Sequence, residues 1–584
     1  MPHFGGLLAI IAVLGAGTAF CRWIGPVPLR WRLAAAMVSG AALIQFCATL
    51  VLILGGGVFA IKLVGICALS IGCLELIRSR GYLELLRVQK FEGVCDLWFL
   101  GALAAAVALN LVIASAPSTK IDELYYHMLA PRRIIEDGKL FLYHEPIEAA
   151  IVPQMSFQTG LSMVHAFRFP EAGNVLSWAL GAVLVLLIAG VVGDVAGSTT
   201  AGWMTGAIAS VGVYPAVWHV TSGPHALGDL ATTMAVLLVL LPKENAGGIT
   251  TNTRLALVSL GSCAAALTKI SLLPLGLTLT AFAAYQAARE IGWRSAVTIT
   301  LATWSILYIP LVVWTTIQSG SPFGPITAVL FRSRFFSPET GAELEASRTL
   351  NQGGWLPLLR TLAPSYSIGV VAAFGVVAIA SWKKFHGARI LAGLVIGQGI
   401  LIAWLLPHDF RFLGGLQYAV LAMAAWWFWR LRAGAATMRR WPLVLAGLVV
   451  PWLAVQVYYA RPFVAVVAGL RSRDAFIHEY VAYADDFRAL DRILPADAIL
   501  YAVATRVPAY YAPRPIVFSL DDLHGRSPVY RFATGEWMDE DEPGWSCSDT
   551  VYENPRAAAE VHRTPGRPPF LEALKVQRCV PQIP

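Results

Sequence analysis

The sequence predicts an α-helical polytopic membrane protein that ends in a small extracytoplasmic α/β domain. Hydrophobic residues make up 57% of the 584 positions, charged residues only 14%, and the mean hydropathy is +0.62. A chain this apolar is outside the range of ordinary soluble proteins, and its apolar residues fall in long runs. A membrane-spanning helix needs about 20 apolar residues. By that measure residues 1–460 form a transmembrane module of about 14 helices.

The distribution of Lys and Arg predicts which loops face the cytoplasm. The first three spans are expected at about residues 4–20, 33–54 and 58–77, with basic residues after the first and the third. Basic loops stay on the cytoplasmic side. The N-terminus is therefore expected outside, and a fourth span at 96–113 delivers the next loop to the extracytoplasmic face.

The remaining spans enclose a second long outer loop. They are expected at about 175–192, 200–217, 226–241, 255–267, 272–288, 296–313, 366–381, 390–406, 413–429 and 441–458. The two long outer loops cover about residues 115–170 and 318–364. Loops of this length in a compact protein are usually functional or disordered. Within the first, residues 128–140 have the pattern of an amphipathic helix on the membrane surface, and 151–167 of a second interfacial or re-entrant helix.

A polar cluster lies at the start of the first outer loop, in the stretch SAPSTKIDELYYHMLAP. It contains Asp122, Glu123, Tyr125, Tyr126 and His127, within ten residues of the end of the fourth span. Such groups can abstract a proton, hold a metal ion or bind a phosphate. Tyr and charged residues also gather at the membrane surface without any chemical role. The cluster is the first candidate site.

Ionisable residues near the outer ends of later spans extend this candidate site. Asp229 lies near the start of the seventh span, Lys269 between the eighth and ninth, and His408 and Arg411 in the outer turn LPHDFRFLGG. A charge at membrane depth is costly unless it is paired or hydrated. Asp229 is therefore expected to face a cavity, and the partner of Lys269 is expected to be Asp229 or a substrate phosphate.

The chain changes character at about Arg461. Residues 461–584 contain no span and are expected to form the extracytoplasmic domain, with a helix, a strand at 498–504, a second strand near 515–520, and loops after Asp521. This domain is expected to cover the active site, to meet an acceptor, or to act as a structural cap. Cys547 and Cys579 are candidates for a disulfide in an oxidising compartment.

The sequence contains none of the familiar soluble catalytic signatures. We find no Walker loop, no dinucleotide-binding glycines beside a strand, no HExxH and no GxSxG. The net charge is +8, but the basic residues cluster in short loops between spans, and no DNA-binding pattern accompanies them. Nucleic acid is therefore not expected as a partner.

The order of these motifs resembles the polytopic GT-C glycosyltransferases, including the protein mannosyltransferase and aminoarabinose transferase-like group. The resemblance includes Asp122-Glu123 with its Tyr-Tyr-His sequence, Ala130-Pro131, Asp229, Thr268-Lys269, the SPFGP stretch and Arg411. It covers most of the membrane module. In many relatives the acidic loop follows the first span, whereas here three further spans precede it. The resemblance implies that the protein transfers a sugar from a polyprenyl-phosphate donor at the extracytoplasmic face of the membrane.

This implied reaction assigns roles to the candidate residues. Asp122 is the expected base, although Glu123 also qualifies. Positive charge is needed where the lipid phosphate departs, and the candidates are Arg411, Lys269, Arg132, Arg133 and His127. The substrate-binding candidates are Tyr125, Tyr126, Asp229 and His408. A single inverting displacement is favoured. No cofactor is assigned with certainty, and the requirement for a divalent cation, Mg or Mn, stays open.

Two other functions compete with this interpretation. A multi-pass transporter or lipid flippase would use Asp229, Lys269 and Arg411 to line a pathway, but no inverted repeat of broken helices is evident. An assembly protein would leave the acidic cluster without a purpose. The expected partners are the polyprenyl-phosphate sugar donor, membrane lipid and a glycan, glycolipid or protein acceptor. The expected location is a cell membrane, with the short basic loops favouring a bacterial inner membrane.

Overall fold

The computed structural model describes residues 2–78, 94–144, 154–242, 248–337, 386–405, 410–432, 441–503, 507–523, 528–534, 545–554 and 574–581. The described part is mostly helical. In chain order its main helices are α1 (Pro2–Ile24), α2 (Leu29–Ile53), α3 (Gly57–Arg78), α4 (Val94–Ser115), α5 (Leu129–Asp137), α6 (Gln154–Ala166), α7 (Ala172–Ala196), α8 (Thr199–Ser210), α9 (Val213–Trp218), α10 (His225–Leu240), α11 (Thr251–Thr268), α12 (Leu273–Ile291), α13 (Trp293–Leu307), α14 (Ile309–Ser319), α15 (His386–Leu405), α16 (Leu416–Arg432), α17 (Trp441–Val467), α18 (Arg473–Tyr480) and α19 (Ala484–Ile493).

Seven helical segments within the described residues are long and apolar enough to cross a membrane. They are formed by α1, α2, α3, α4, α7, by α12 with the turn before it, and by the Val449–Val467 part of α17. Their bounds enclose the predicted spans at 4–20, 58–77, 96–113, 175–192 and 272–288, and nearly all of 33–54. These helices are consistent with a membrane protein.

The expected number of about fourteen spans is not confirmed. The predicted span at 200–217 is broken into α8 and α9, because Gly212 adopts φ +109° between them. The span at 296–313 is the bent pair α13 and α14, whose axes differ by 45°. Helices α10 and α16 have only 16 and 17 residues. The predicted span at 366–381 lies outside the described residues. Runs of apolar residues reveal neither these breaks nor these bends.

Close backbone contacts hold the first two helices together. A Cβ atom on Gly17 would lie 1.7 Å from the carbonyl oxygen of Ala36, and one on Gly40 would lie 1.8 Å from that of Val13. Small residues at such crossings let helix backbones approach closely, which is a common way of packing apolar helices in a membrane.

The first outer loop folds into short helices that pack against the rest of the protein. A π-helical turn, Glu123–His127, leads into α5, which ends at Gly138 in the left-handed conformation with φ +70°. Helices α5 and α6 confirm the predicted helices at 128–140 and 151–167 to within a few residues. In α5 the residues Leu129, Ala130, Pro131, Arg133 and Ile134 are buried, so protein covers much of this helix.

The C-terminal region forms a five-stranded sheet of order β2-β1-β3-β5-β4. The strands are β1 (Ile499–Val503), β2 (Ile516–Val517), β3 (Val529–Thr534), β4 (Trp545–Asn554) and β5 (Leu574–Pro581). β1 is parallel to β2 and β3, and β5 is antiparallel to β3 and β4. The two predicted strands are confirmed. The expectation of loops after Asp521 is wrong, because this region contains β3, β4 and β5. These strands are stabilised by pairing with distant segments, which a local sequence rich in Pro and Gly does not indicate.

A disulfide joins Cys547 and Cys579 across the last strand pair of this sheet. The two cysteines are direct partners in the register of β4 and β5. The predicted pairing is thus present in the structure.

The C-terminal domain packs directly on the first outer loop. Arg132 donates hydrogen bonds to the carbonyl oxygens of Tyr510 (2.7 Å) and Ala512 (3.1 Å), and the Tyr511 hydroxyl donates to the Ser118 carbonyl (3.0 Å). Leu129 of α5 belongs to the same apolar core as the sheet. The domain therefore covers the loop that carries the acidic cluster.

Candidate active site

Asp122 and Arg411 form an ion pair although 289 residues separate them. The distance between Arg411 Nη1 and Asp122 Oδ2 is 3.2 Å, and the side chains are 24% and 18% exposed. Asp122 directly precedes the π-helical turn, and Arg411 lies in a 3₁₀ turn, Phe410–Leu413, between α15 and α16. The expected base and an expected phosphate-binding cation thus meet in the folded chain.

Lys269 lies next to this pair at the break between α11 and α12. Its backbone is extended, with φ −149° and ψ 128°, and its Nζ donates a hydrogen bond to His225 Nδ1 at 2.9 Å. The ring centroid of Phe412 lies close to both cations, 5.1 Å from Lys269 Nζ and 5.3 Å from Arg411 Cζ. Three distant segments therefore bring two cations and one carboxylate together.

A second aromatic ring besides Phe412 lies near the guanidinium of Arg411. Its Cζ lies 5.1 Å from the ring of Trp218, which in turn lies 4.5 Å from the imidazole of His225. A cation over an aromatic face is stabilised by the ring electrons, especially where water is partly excluded. The rings orient Arg411 without neutralising its charge.

His127 is a neutral imidazole at the same cluster. Burial lowers its pKa to about 3; Asp122 acts in the opposite direction, and Lys269 and Arg411 add to the decrease. Its Nδ1 is buried, with no hydrogen-bond partner in the part of the chain that the structure describes. His127 can therefore offer a hydrogen bond to a ligand, but not a positive charge near neutral pH.

Glu123 is in a different environment from Asp122. It is buried, and its Oε1 accepts a hydrogen bond from the Ser222 backbone N–H at 2.9 Å. Burial raises its pKa, against the opposing effects of the Ser222 hydrogen bond and of Lys120. Burial also lowers the pKa of Lys120 to about 7. Adjacent acids thus have different partners, one in the cation cluster and one in the protein interior.

Asp229 lies in a buried polar group beneath the cations. Its Oδ2 accepts hydrogen bonds from the Tyr214 hydroxyl and from His219 Nε2, both at 2.9 Å. Asp229 is thus paired with these two residues, and its predicted exposure to a cavity stays a prediction. The stretch VYPAVWHVTSGPH supplies Tyr214, Trp218, His219 and His225. The predicted spans at 200–217 and 226–241 assign it only to the end of a span and the turn after it. Its density of His and aromatic residues beside Gly212 was the signal available.

The other predicted site residues lie around the cluster or outside it. Arg132 binds the C-terminal domain and forms an ion pair with Glu136 at 2.7 Å. Arg133 is buried, with its guanidinium 4.1 Å from the ring of Tyr143. The ring centroid of Tyr125 lies 4.9 Å from that of Phe518 in the C-terminal domain, and that of Tyr126 lies 4.1 Å from that of His127. His408 lies outside the described residues.

The described residues include no group of three or more His, Cys, Asp or Glu side chains placed to hold a metal ion. The carboxylate of Asp122 is instead paired with a cation. The involvement of Mg or Mn stays an open question.

Neither known protein families nor curated proteins give a match to this chain. The function must therefore be inferred from the geometry of the site.

Proposed function

We propose that the protein is a glycosyltransferase that moves a sugar from a polyprenyl-phosphate donor to an acceptor at the membrane surface. The observation that carries the proposal is the 3.2 Å ion pair between Asp122 and Arg411 beside Lys269. Two cations with one carboxylate suit an anionic group such as a lipid phosphate, and the carboxylate suits proton abstraction.

The proposed reaction is one displacement at the anomeric carbon of the sugar. Asp122 takes the proton of the acceptor hydroxyl or amine, and the acceptor atom forms its bond to that carbon. The bond from the carbon to the phosphate oxygen breaks, and its electron pair stays on the lipid phosphate. Arg411 and Lys269 stabilise the charge that develops there. One base is enough for such an inverting step.

The Asp122–Arg411 pair also links donor binding to activation of the base. A phosphate that binds Arg411 competes with Asp122 for the guanidinium. The carboxylate is then available to accept a proton from the acceptor. His127, which is neutral, adds a hydrogen bond, and Phe412 and Trp218 hold Arg411 in place.

The surroundings of the cluster suit a lipid-linked donor and a separate acceptor. The cations lie at the ends of apolar helices, where a polyprenyl chain can stay in lipid while its phosphate meets polar groups. The C-terminal domain covers the other side through contacts such as Tyr125 with Phe518. We assign the acceptor to that side. We place donor and acceptor on the extracytoplasmic face of a cell membrane, and the short basic loops favour a bacterial inner membrane.

The first test is transfer of radiolabelled sugar from a mixed pool of polyprenyl-linked donors by membranes that carry the full chain. We predict that Asp122→Asn lowers transfer about a hundredfold or more, because it removes the base. Arg411→Ala should also lower transfer strongly, because it removes charge from the leaving phosphate.

Asp194→Asn provides a matched control. Asp194 also pairs with a distant arginine, Arg30, but at the opposite end of α7 from the first outer loop. Its loss should leave transfer near the wild-type rate. Wild-type transfer by folded Asp122→Asn would disprove the assignment of the base. A wild type that is silent with every donor but moves lipid or solute across vesicles would favour a transporter or flippase.

A further inference from the structure

Helix α15 carries a buried amide side chain, that of Gln398, which is 4% exposed. Its Nε2 donates two hydrogen bonds, one to the carbonyl oxygen of Ser271 at 3.0 Å and one to that of Phe412 at 2.8 Å. The two N–H groups of the amide thus bind two different segments of the chain.

These two segments are the turns that carry the cations of the candidate site. Ser271 lies in the 3₁₀ turn Ile270–Leu272, which directly follows Lys269. Phe412 is adjacent to Arg411 in the turn Phe410–Leu413. A single amide therefore joins the backbone of both cation-bearing turns.

The bridge has a physical cause in the interruption of the helices. Where a helix breaks among apolar helices, its backbone carbonyls lose their intrahelical partners, and water is not freely available to replace them. An unpaired buried carbonyl is costly. Gln398 satisfies one such carbonyl in each turn. The two carbonyls also satisfy the Gln398 amide, which would otherwise be an unpaired polar group in an apolar helix.

We propose that Gln398 is a positioning residue that sets the separation between Lys269 and Arg411, so that both cations reach one phosphate. This inference rests on the proposed function, because it assigns the amide to donor binding. In this arrangement Gln398 acts through the backbone of the two turns.

The test compares Gln398→Met with a matched control, Gln456→Met, in the full chain. Methionine keeps the length and volume of the side chain but donates no hydrogen bond. Gln456 is also a buried amide, 1% exposed, and its Nε2 donates to the Ala106 carbonyl (3.1 Å) and to Asn110 Oδ1 (2.6 Å). Both variants therefore lose two hydrogen bonds, but only the first loses the link between the cation turns.

We expect Gln398→Met to raise the KM for the lipid-linked donor roughly tenfold, because the two turns no longer hold the cations at one separation. Tenfold corresponds to about 1.4 kcal/mol, which is within the stabilisation that two hydrogen bonds provide. The KM for the acceptor should stay unchanged. Gln456→Met should change neither KM. A purely structural role would lower the active fraction, and with it kcat, without this difference between the two substrates.

Hydrogen exchange provides a readout that does not depend on activity. The Leu272 amide binds the Lys269 carbonyl at 3.0 Å, and the Gly414 amide binds that of Arg411 at 3.4 Å. Exchange in both turns should be faster in Gln398→Met and unchanged in Gln456→Met. If Gln398→Met is folded and its turns exchange as in wild type, or if its donor KM equals that of Gln456→Met, the inference is wrong.

The two proposals can fail separately. A wild type that transfers no sugar overturns the proposed function and the assignment of Gln398 to donor binding, while exchange still decides whether the amide holds the turns. If Gln398→Met does not fold, Gln398→Glu keeps the shape and, protonated in its buried site, donates one hydrogen bond. Its donor KM should then rise further as the pH increases, and a pH-independent KM equal to wild type would contradict the inference.

Discussion

Two adjacent carboxylates differ because the backbone directs them to different neighbours. Asp122 pairs with Arg411, whereas Glu123 is buried against the Ser222 backbone N–H. Burial raises the pKa of Glu123, against the opposing effects of the Ser222 hydrogen bond and of Lys120. Under the proposed function, this geometry favours Asp122 as the base, while Glu123 holds the first outer loop against the Ser222 backbone.

This difference predicts opposite outcomes for the two amide substitutions. Glu123→Gln keeps an oxygen that accepts the Ser222 N–H, so sugar transfer should stay within a few-fold of wild type, whereas Asp122→Asn should lower it about a hundredfold or more. The measurement is transfer rate at equal amounts of folded protein. If Glu123→Gln lowers the transfer rate as much as Asp122→Asn does, Glu123 is the base or acts together with Asp122 in proton transfer.

At the scale of elements, the turn that carries Arg411 is held by the helix beneath it. Thr233 of α10 donates a hydrogen bond from its hydroxyl to the Gly415 carbonyl at 3.0 Å. A Cβ atom on Gly415 would lie 2.2 Å from the Asp229 carbonyl oxygen and 2.6 Å from the Thr233 amide nitrogen. Only glycine allows the chain to pass so close to the backbone of α10.

Gly415→Ala should therefore displace the Arg411 turn and raise the donor KM, because the added methyl group collides with backbone atoms that cannot rotate away. Thermal unfolding and donor KM are the two measurements. Gly393→Ala is the control, because a Cβ atom at Gly393 meets no atom within 4 Å. Equal behaviour of the two variants would contradict the expected collision.

At the scale of the whole molecule, His144 joins three parts of the protein. Its Nδ1 lies 3.0 Å from Asp522 Oδ1 in the C-terminal domain, and its ring stacks on Phe335, which follows α14, with 3.8 Å between centroids. Burial by itself lowers the pKa of His144, but the hydrogen bond and charge of Asp522, with the charge of Asp521, produce a net increase above 6.5. The protonated imidazole therefore stabilises the docking of the domain.

Because the pKa of His144 is raised, the stability of the domain contact should depend on pH. A histidine whose pKa is raised on folding adds stability below its unfolded pKa of about 6.5, and that stability is lost as pH rises through the folded value. Exchange of amides at the domain contact should therefore become faster as the pH increases through this window, after correction for intrinsic rates. His144→Asn should remove this dependence, whereas His478→Asn, which changes an exposed contact with Asp485, should retain it. The same pH profile in His144→Asn and wild type would exclude this role.

Local chemistry in the sequence was enough to predict much of the protein. Long apolar runs predicted most of the membrane-length helices, because a helix must satisfy its own backbone in lipid. Costly ionisable residues near the ends of these runs marked Asp122, Arg411 and Lys269 as candidates. The first two strands of the C-terminal sheet followed from their own apolar residues.

Only the tertiary structure decided how these pieces meet. The break at Gly212, the bend between α13 and α14, and the strands after Asp521 depend on contacts with distant segments, which apolarity does not encode. Arg411, which pairs with Asp122, lies 289 residues away, and Ser222, which binds Glu123, lies 99 residues away, so these contacts exist only in the folded chain. The Gln398 bridge has the same origin, because one amide can join two turns only after three helical segments have packed together.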